Sequence, residues 1–248
     1  MIGLTSAVSV QRDGAVAVVH LDDGAGGNAL VPDLLEGLAS AVAALDTDHA
    51  VHCIVIAGTD TAFATGGGTL SDELSQRLWD GLAACRTPTV AAVSGYALDR
   101  GLELALLCDM VVASENAELG LPEITVGLSP GGGATQRLAR DLGRRRTMEL
   151  VLTGRRIDAA EAARLGLVNQ VTGKRDWLER AVELAGLVAR RPPGAVGLAK
   201  RSVLAAAEHH LTDGLAEEQR LHAQAVAGAE HAEAMRSLAR RPRAKDGD

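Results

Sequence analysis

The chain has 248 residues, a formal net charge of −7 and a hydrophobic content of 47%, which suits one globular α/β domain or a core with a helical appendage. The acidic balance argues against a nucleic-acid partner, and no apolar run has the length of a membrane span. Aromatic residues make up only 2%, so Leu, Val, Ile and Ala must build the core.

The cysteines bear on the compartment in which the protein works. Cys53, Cys85 and Cys108 are an odd number without a C-x-x-C spacing, so we expect reduced, buried thiols rather than a disulfide framework or a zinc site. The first residues do not resemble a signal peptide. A cytoplasmic protein without a metal site is therefore predicted.

The first elements alternate between strand and helix patterns. Two apolar runs, at residues 7–11 and 15–21, flank an Asp-Gly dipeptide that ends at Gly14 and is typical of a hairpin turn. Pro32 begins an amphipathic helix, and residues 52–58 form a buried, β-branched strand. This order predicts an α/β fold with partly parallel strands.

A loop at residues 59–68 ends in three successive glycines. Glycines after a strand let the backbone approach a ligand closely and aim N–H groups at it. A flexible loop that binds nothing is the alternative. Ser71 then caps a helix that ends before Pro88. Its inward face is predicted to consist of Leu74, Leu78, Leu82 and Cys85.

The centre of the chain reads as strand, helix and strand. The strand at residues 89–93 turns through Ser94-Gly95, a helix starts at Gly101, and a second strand covers residues 110–113. Proline and glycine punctuate the stretch that follows, up to Gly133.

Two carboxylates in this centre have apolar neighbours. Glu103 is flanked by leucines inside the helix, and Glu123 follows Pro122 between apolar residues. An ionised carboxylate in such surroundings is costly unless it is paired or hydrogen-bonded. The two acids either serve chemistry together or have structural roles, as a helix cap or in an arginine pair.

The last part of the chain is mostly helical. Asp158 caps a short helix up to Gly166, and residues 167–171 form a last strand. Paired prolines within residues 190–194 mark the joint between a core, residues 1–190, and a helical region, residues 191–248. The other predicted helices cover residues 133–142, 144–152, 176–190, 194–208, 211–227 and 230–238, and residues 242–248 are expected to be disordered.

Motifs spread over nearly the whole chain, in order, resemble the enoyl-CoA hydratase/isomerase, or crotonase, superfamily. They are Asn28-Ala29-Leu30, Ala62-Phe63-Ala64-Thr65-Gly66, Gly95-Tyr96-Ala97-Leu98, Gly101-Leu102-Glu103-Leu104-Ala105, Cys108-Asp109, Pro122-Glu123, Gly127, Pro130-Gly131-Gly132-Gly133, Thr135-Gln136-Arg137-Leu138, Leu152-Thr153-Gly154 and the stretch from Ala162 to Val168.

The resemblance implies a fold and an assembly. The fold is an α/β, crotonase (ClpP-like) spiral of ββα units with a C-terminal helical region at residues 191–248 that mediates trimerisation. A homotrimer or a dimer of trimers is expected. The amphipathic tail agrees with this, because Leu211, Leu215 and Leu221 need a surface to bury against.

The resemblance also implies a reaction, the hydration of a trans-2-enoyl-CoA to a 3-hydroxyacyl-CoA. The substrate partner is an acyl-CoA thioester, and no cofactor is needed because coenzyme A is part of the substrate. The N–H groups of Gly67 and Arg100 would bind the thioester oxygen, with Glu103 as the base that activates water and Glu123 as the proton donor. The surrounding substrate-binding residues would be Ala64, Thr65, Gly66 and Gly68.

The sequence departs from the family pattern close to these residues. Asp99-Arg100 stands where the family usually has glycines, so a bulky side chain sits on one proposed N–H donor, which would be strained in a left-handed conformation. Gly66, Gly67 and Gly68 replace the family's Gly-Ala-Asp. Double-bond isomerisation and a non-catalytic acyl-CoA-binding paralogue therefore remain alternatives to hydration.

Overall fold

The structure is a computed structural model that describes residues 5–66 and 72–240. Its strands are β1 (Val8–Asp13), β2 (Val16–Leu21), β3 (Cys53–Ala57), β4 (Ala62–Ala64), β5 (Thr89–Val93), β6 (Tyr96–Leu98), β7 (Met110–Ser114), β8 (Glu118–Gly120), β9 (Arg156–Asp158) and β10 (Gln170–Thr172). Its α-helices are α1 (Pro32–Thr47), α2 (Asp72–Ala84), α3 (Arg100–Leu107), α4 (Ala134–Asp141), α5 (Arg144–Thr153), α6 (Ala159–Leu165), α7 (Trp177–Ala189), α8 (Pro193–Ala205), α9 (Leu211–Ala227) and α10 (Ala229–Arg240). A 3-10 helix, η1, covers Pro122–Val126.

The strands form two sheets, and from β3 to β8 successive strands belong alternately to one sheet and the other. The larger sheet has the order β1-β2-β3-β5-β7-β10, and the smaller has the order β4-β6-β8-β9. Each of the pairs β3–β4, β5–β6 and β7–β8 gives its first strand to the larger sheet and its second to the smaller, and a helix follows each pair. This is a repeated ββα unit with mainly parallel pairing, so the predicted α/β class is confirmed.

Local sequence signals place the first elements correctly. Strands β1 and β2 pair antiparallel with Asp13 opposite Val16, and Gly14 in the turn has φ +58°. Pro32 is the first residue of α1, where its missing N–H costs nothing. The buried face of α1 includes the predicted Leu34, Leu35, Leu38, Val42 and Leu45.

Two apolar layers cover the larger sheet. Every residue of β3 and β5 is buried, as expected for parallel strands covered on both faces. Alternate residues face opposite layers: Ile54 and Ile56 join the main core with α1, whereas Val55 joins a second cluster under Trp177 of α7. The core is therefore built almost entirely from aliphatic side chains.

The sequence did not predict three of the short strands. Strands β6, β8 and β9 have three residues each, too few for an alternating pattern to be recognised. The last strand was predicted at residues 167–171 but begins at Gln170. Cys108, predicted to be buried, is only partly buried, and none of the three cysteines forms a disulfide.

The contacts divide the chain into two compact units between Arg190 and Arg191. In the second unit, the Glu230 carboxylate accepts hydrogen bonds from the N–H groups of Gly194 and Ala195 and so caps the start of α8. The segment predicted to be disordered, residues 242–248, lies outside the described residues. No helix in the described ranges is both long and apolar enough to cross a membrane.

Candidate functional site

The site forms where α3 begins, against the end of β4. Gly101 permits this contact: a Cβ there would lie 1.8 Å from the Ala64 carbonyl oxygen. The close approach brings the first turn of α3 next to the backbone that leads into the glycine-rich loop. Glycine is required at position 101 because any side chain would push the helix away from the strand.

Glu103 is held in one orientation by backbone donors from the turn before α4. The side chain is 1% exposed, and its Oε1 accepts hydrogen bonds from the N–H groups of Gly132 (2.7 Å) and Ala134 (3.2 Å). No described residue donates a hydrogen bond to Oε2. Burial raises the pKa of Glu103, and the two N–H groups oppose that rise by stabilising the carboxylate.

Trp79 of α2 is a site residue that the sequence did not indicate. A Cβ at Gly132 would lie 1.9 Å from Trp79 Nε1 and 2.3 Å from Glu103 Oε2. The indole nitrogen and the open oxygen of Glu103 therefore border the same space beside Gly132. Trp79 is 7% exposed and directly follows Leu78 of the predicted inward face, which was the available signal.

Glu123 has a different environment, although it is also buried. It lies in η1 and is 5% exposed. No described donor reaches either of its carboxyl oxygens. Burial, together with the charges of Asp99 and Glu103, raises the pKa of Glu123 to about 8. The two glutamates are thus close enough for their charges to interact, and a pKa of about 8 leaves Glu123 mostly protonated at neutral pH.

The sequence left the backbone conformation of Arg100 open, and the structure gives the positive φ to the residue before it. The left-handed φ of +57° falls on Asp99, and Arg100 is the first residue of α3. A helix N-terminus presents N–H groups and a partial positive charge. The bulky Arg100 side chain therefore does not force its own residue into a left-handed conformation.

The loop predicted to bind substrate is only partly described. Ala64 is fully buried, and the Thr65 hydroxyl donates to the Gly27 carbonyl at 2.9 Å. Gly66 packs directly against the Asp99 carboxyl. The two remaining glycines, Gly67 and Gly68, lie outside the described residues, so the predicted N–H donor at Gly67 stays a prediction.

Asn28, which the motif comparison included without a role, fixes the backbone under this loop. It is fully buried with φ +46°. Its amide nitrogen donates to the carbonyls of Leu21 (2.9 Å) and Ala62 (2.9 Å), and its Oδ1 accepts from the Asp23 N–H (3.0 Å). Asn28 therefore ties the end of β2 to the start of β4.

Comparisons of sequence and of structure find similar proteins among the known enoyl-CoA hydratases. A sequence profile described as enoyl-CoA hydratase/isomerase matches residues 11–245. A probable enoyl-CoA hydratase of Mycobacterium bovis is 40% identical over 238 residues, covering 92% of this chain and 93% of the relative. The 2,3-dehydroadipyl-CoA hydratase of Escherichia coli is 42% identical over 227 residues, covering 87% and 89%. A solved structure of an enoyl-CoA hydratase subunit from Geobacillus kaustophilus superposes with a TM-score of 0.90 at 34% identity, covering 98% and 99% of the two chains.

Proposed function

Because the chain belongs to the enoyl-CoA hydratase/isomerase family, we propose that it adds water to a trans-2-enoyl-CoA and forms a 3-hydroxyacyl-CoA. The observation that carries this proposal is the contrast between its two buried acids. Glu103 accepts two backbone N–H bonds that favour its ionised form, whereas Glu123 has no described donor and faces like charges. Hydration needs one base and one acid, and this contrast supplies both.

Glu103 is proposed to activate the water. Its Oε1 is occupied by the two N–H groups, so Oε2 is the atom that would take a proton from water while the water oxygen bonds to the β carbon. The π electrons of the substrate then move to the thioester oxygen, giving an enolate. Trp79, whose indole nitrogen borders the same space beside Gly132 as Oε2, would hydrogen-bond the same water.

Glu123 is proposed to complete the addition by giving its proton to the α carbon of the enolate. Its raised pKa keeps that proton available at neutral pH. The enolate oxygen would be stabilised by the N–H groups of Arg100 and Gly67. Support for the first comes from the position of Arg100 at the start of α3, where the helix dipole favours negative charge. The scheme uses no metal and no redox cofactor.

The proposal also covers the acyl group of the substrate, the assembly of subunits and the cellular compartment. The relatives include both a probable enoyl-CoA hydratase and a hydratase named for a dehydroadipyl thioester, whose acyl group ends in a carboxylate. We therefore include a terminal carboxylate among the acyl groups to test. A cytoplasmic homotrimer, or a dimer of trimers, belongs to the same proposal.

The test follows the loss of enoyl-thioester absorbance with crotonyl-CoA, a longer 2-enoyl-CoA and a 2-enoyl-CoA that ends in a carboxylate. We expect rapid loss with at least one of them. Glu103→Gln and Glu123→Gln should each lower kcat by about 10²–10⁴-fold, because each removes one proton-transfer group. Glu36→Gln, an exposed change on α1, is the matched control.

Three outcomes would contradict the proposal. Full activity in either Glu→Gln variant would remove that residue from the mechanism. Conversion of a 3-enoyl-CoA to its 2-enoyl isomer without hydration would identify an isomerase. Binding of every thioester without turnover would identify a paralogue that only binds acyl-CoA.

A further inference from the structure

Asp99 occupies its position at an energetic disadvantage. It is a non-glycine residue with φ +57° and ψ −126°, a region that side chains rarely adopt. It is also the N-cap residue of α3, where aspartate usually accepts a hydrogen bond from the first helical turn, yet its side chain makes no such bond. Strain without a capping bond points to a role in the site.

The Asp99 carboxyl is directed into the site rather than toward the helix. A Cβ at Gly66 would lie 1.9 Å from Asp99 Oδ2 and 2.6 Å from its Cγ. The Asp99 N–H donates to the Gly120 carbonyl at 2.9 Å, three residues before Glu123. The Asp99 side chain also interacts with the Glu123 carboxyl, through a side-chain hydrogen bond and through its charge, and both interactions raise the pKa of Glu123.

Two facing carboxyl groups form a hydrogen bond only if one of them carries a proton, since ionised carboxylates are acceptors alone. Like charges at that distance also disfavour double ionisation. Glu123 has no other described donor, so a shared proton is the arrangement that satisfies it. Among the other charged groups, Glu103 interacts directly with Glu123, and Arg100 of α3 and Arg137 of α4 interact in turn with Glu103. On α5, which packs against η1, Glu149 is paired with Arg155 at 2.8 Å.

We propose that Asp99 is a positioning residue whose carboxyl shares one proton with Glu123 and so holds Glu123 in its proton-donating form. The inference deepens the proposed hydration and rests on it.

The site carries the same number of protons before and after one turnover. Glu103 takes a proton from water, and Glu123 gives its proton to the α carbon, where the enolate electron pair forms the new C–H bond. Glu123 is then left ionised beside Asp99, and this repulsion favours its reprotonation. The proton held by Glu103 returns to the Asp99–Glu123 pair, so one water is consumed and no net proton.

The test measures the pH profile of kcat/KM for the wild type, Asp99→Asn and Asp99→Gly. Loss of the Glu123 proton sets the alkaline limb in this scheme. Asparagine removes the negative charge and donates to ionised Glu123, so the limb should move to lower pH by about one unit or more. Asp99→Gly removes the same charge without backbone strain, and should move the limb in the same direction. Asp33→Asn, an exposed change on α1, should not move it.

Infrared difference spectroscopy gives a second readout that does not need turnover. A protonated-carboxyl band that disappears in Glu123→Gln belongs to Glu123, and Asp99→Asn should make that band titrate at lower pH. If the wild type hydrates enoyl-CoA but neither the limb nor the band moves in either Asp99 variant, the Asp99 proposal is wrong and the hydratase proposal stands. If no thioester is hydrated but the band moves, the proton sharing stands and the proposed reaction is wrong.

Discussion

Gly132 sets how closely the turn before α4 approaches the carboxylate that it holds. Its N–H donates to Glu103 at 2.7 Å, and the space where its side chain would lie is taken by Trp79 and Glu103. Glycine at this position is therefore a requirement of the site rather than of the turn.

We expect Gly132→Ala to lower kcat by about 10²-fold, because displacement of a catalytic group by even 1 Å has effects of that size. Gly131→Ala is the matched control, since a Cβ there has no described atom within 4 Å. Steady-state kinetics of the two variants on the same enoyl-CoA decides the matter. Equal activity of both would show that the site tolerates movement of Glu103.

Glu123 should also make the free energy of unfolding depend on pH. Its pKa rises from 4.5 to about 8 on folding, so the folded state binds more protons in that interval and wild-type stability falls as pH rises through it. Glu123→Gln lacks this loss.

The free energy of unfolding of Glu123→Gln, taken relative to the wild type, should therefore increase between pH 4.5 and 8 by an amount on the order of a few kcal/mol. Urea unfolding at one protein concentration across this range measures it, with Asp33→Asn as control. A difference that stays constant with pH would mean that Glu123 ionises normally in the folded protein.

At the scale of elements, the contact between α3 and β4 joins the two halves of the proposed oxyanion site. A Cβ at Gly101 would lie 1.8 Å from the Ala64 carbonyl oxygen. The contact fixes the first turn of α3 beside the strand that leads to the glycine-rich loop.

Gly101→Ala should destabilise the protein by about 1–3 kcal/mol or more, because backbone atoms must move apart. Gly81→Ala is a matched change inside α2, where a Cβ has no described atom within 4 Å, and it should stabilise by up to about 1 kcal/mol. Denaturant midpoints of the two variants test the pair. A destabilised Gly81→Ala would show that helix propensity does not govern that site.

At the scale of the whole molecule, the helical unit carries apolar side chains that it does not bury itself. Leu221 is 2% exposed, but Leu211 and Leu215 are 78% and 49% exposed. These two lie one turn apart on α9. They are candidates for the subunit contact in the proposed trimer.

Replacing Leu211 and Leu215 together by Asp should convert the trimer to smaller species, since a buried charge without a partner is costly. Light scattering coupled to size exclusion measures the mass, and Gln224→Asp, an exposed polar change on the same helix, is the control. A trimeric double variant would place the interface elsewhere, and a monomeric wild type would contradict the assembly itself.

The sequence by itself determined the class of the fold and most of the long elements. The 3.6-residue spacing of Leu34, Leu38 and Leu45 defined α1, and the Asp-Gly turn defined the β1–β2 hairpin, because these signals are local. The ordered motifs around Glu103 and Glu123 predicted the family, which the profile match over residues 11–245 confirms.

Only the tertiary structure decided how the site is arranged. The donors that orient Glu103 come from residues 29 and 31 positions away. The indole of Trp79 reaches the site from another helix, and the carboxyl of Asp99 packs against Gly66 instead of capping α3. Such contacts join distant parts of the chain, so no local pattern encodes them. They give the two buried acids different surroundings, and that difference separates the proposed base from the proposed proton donor.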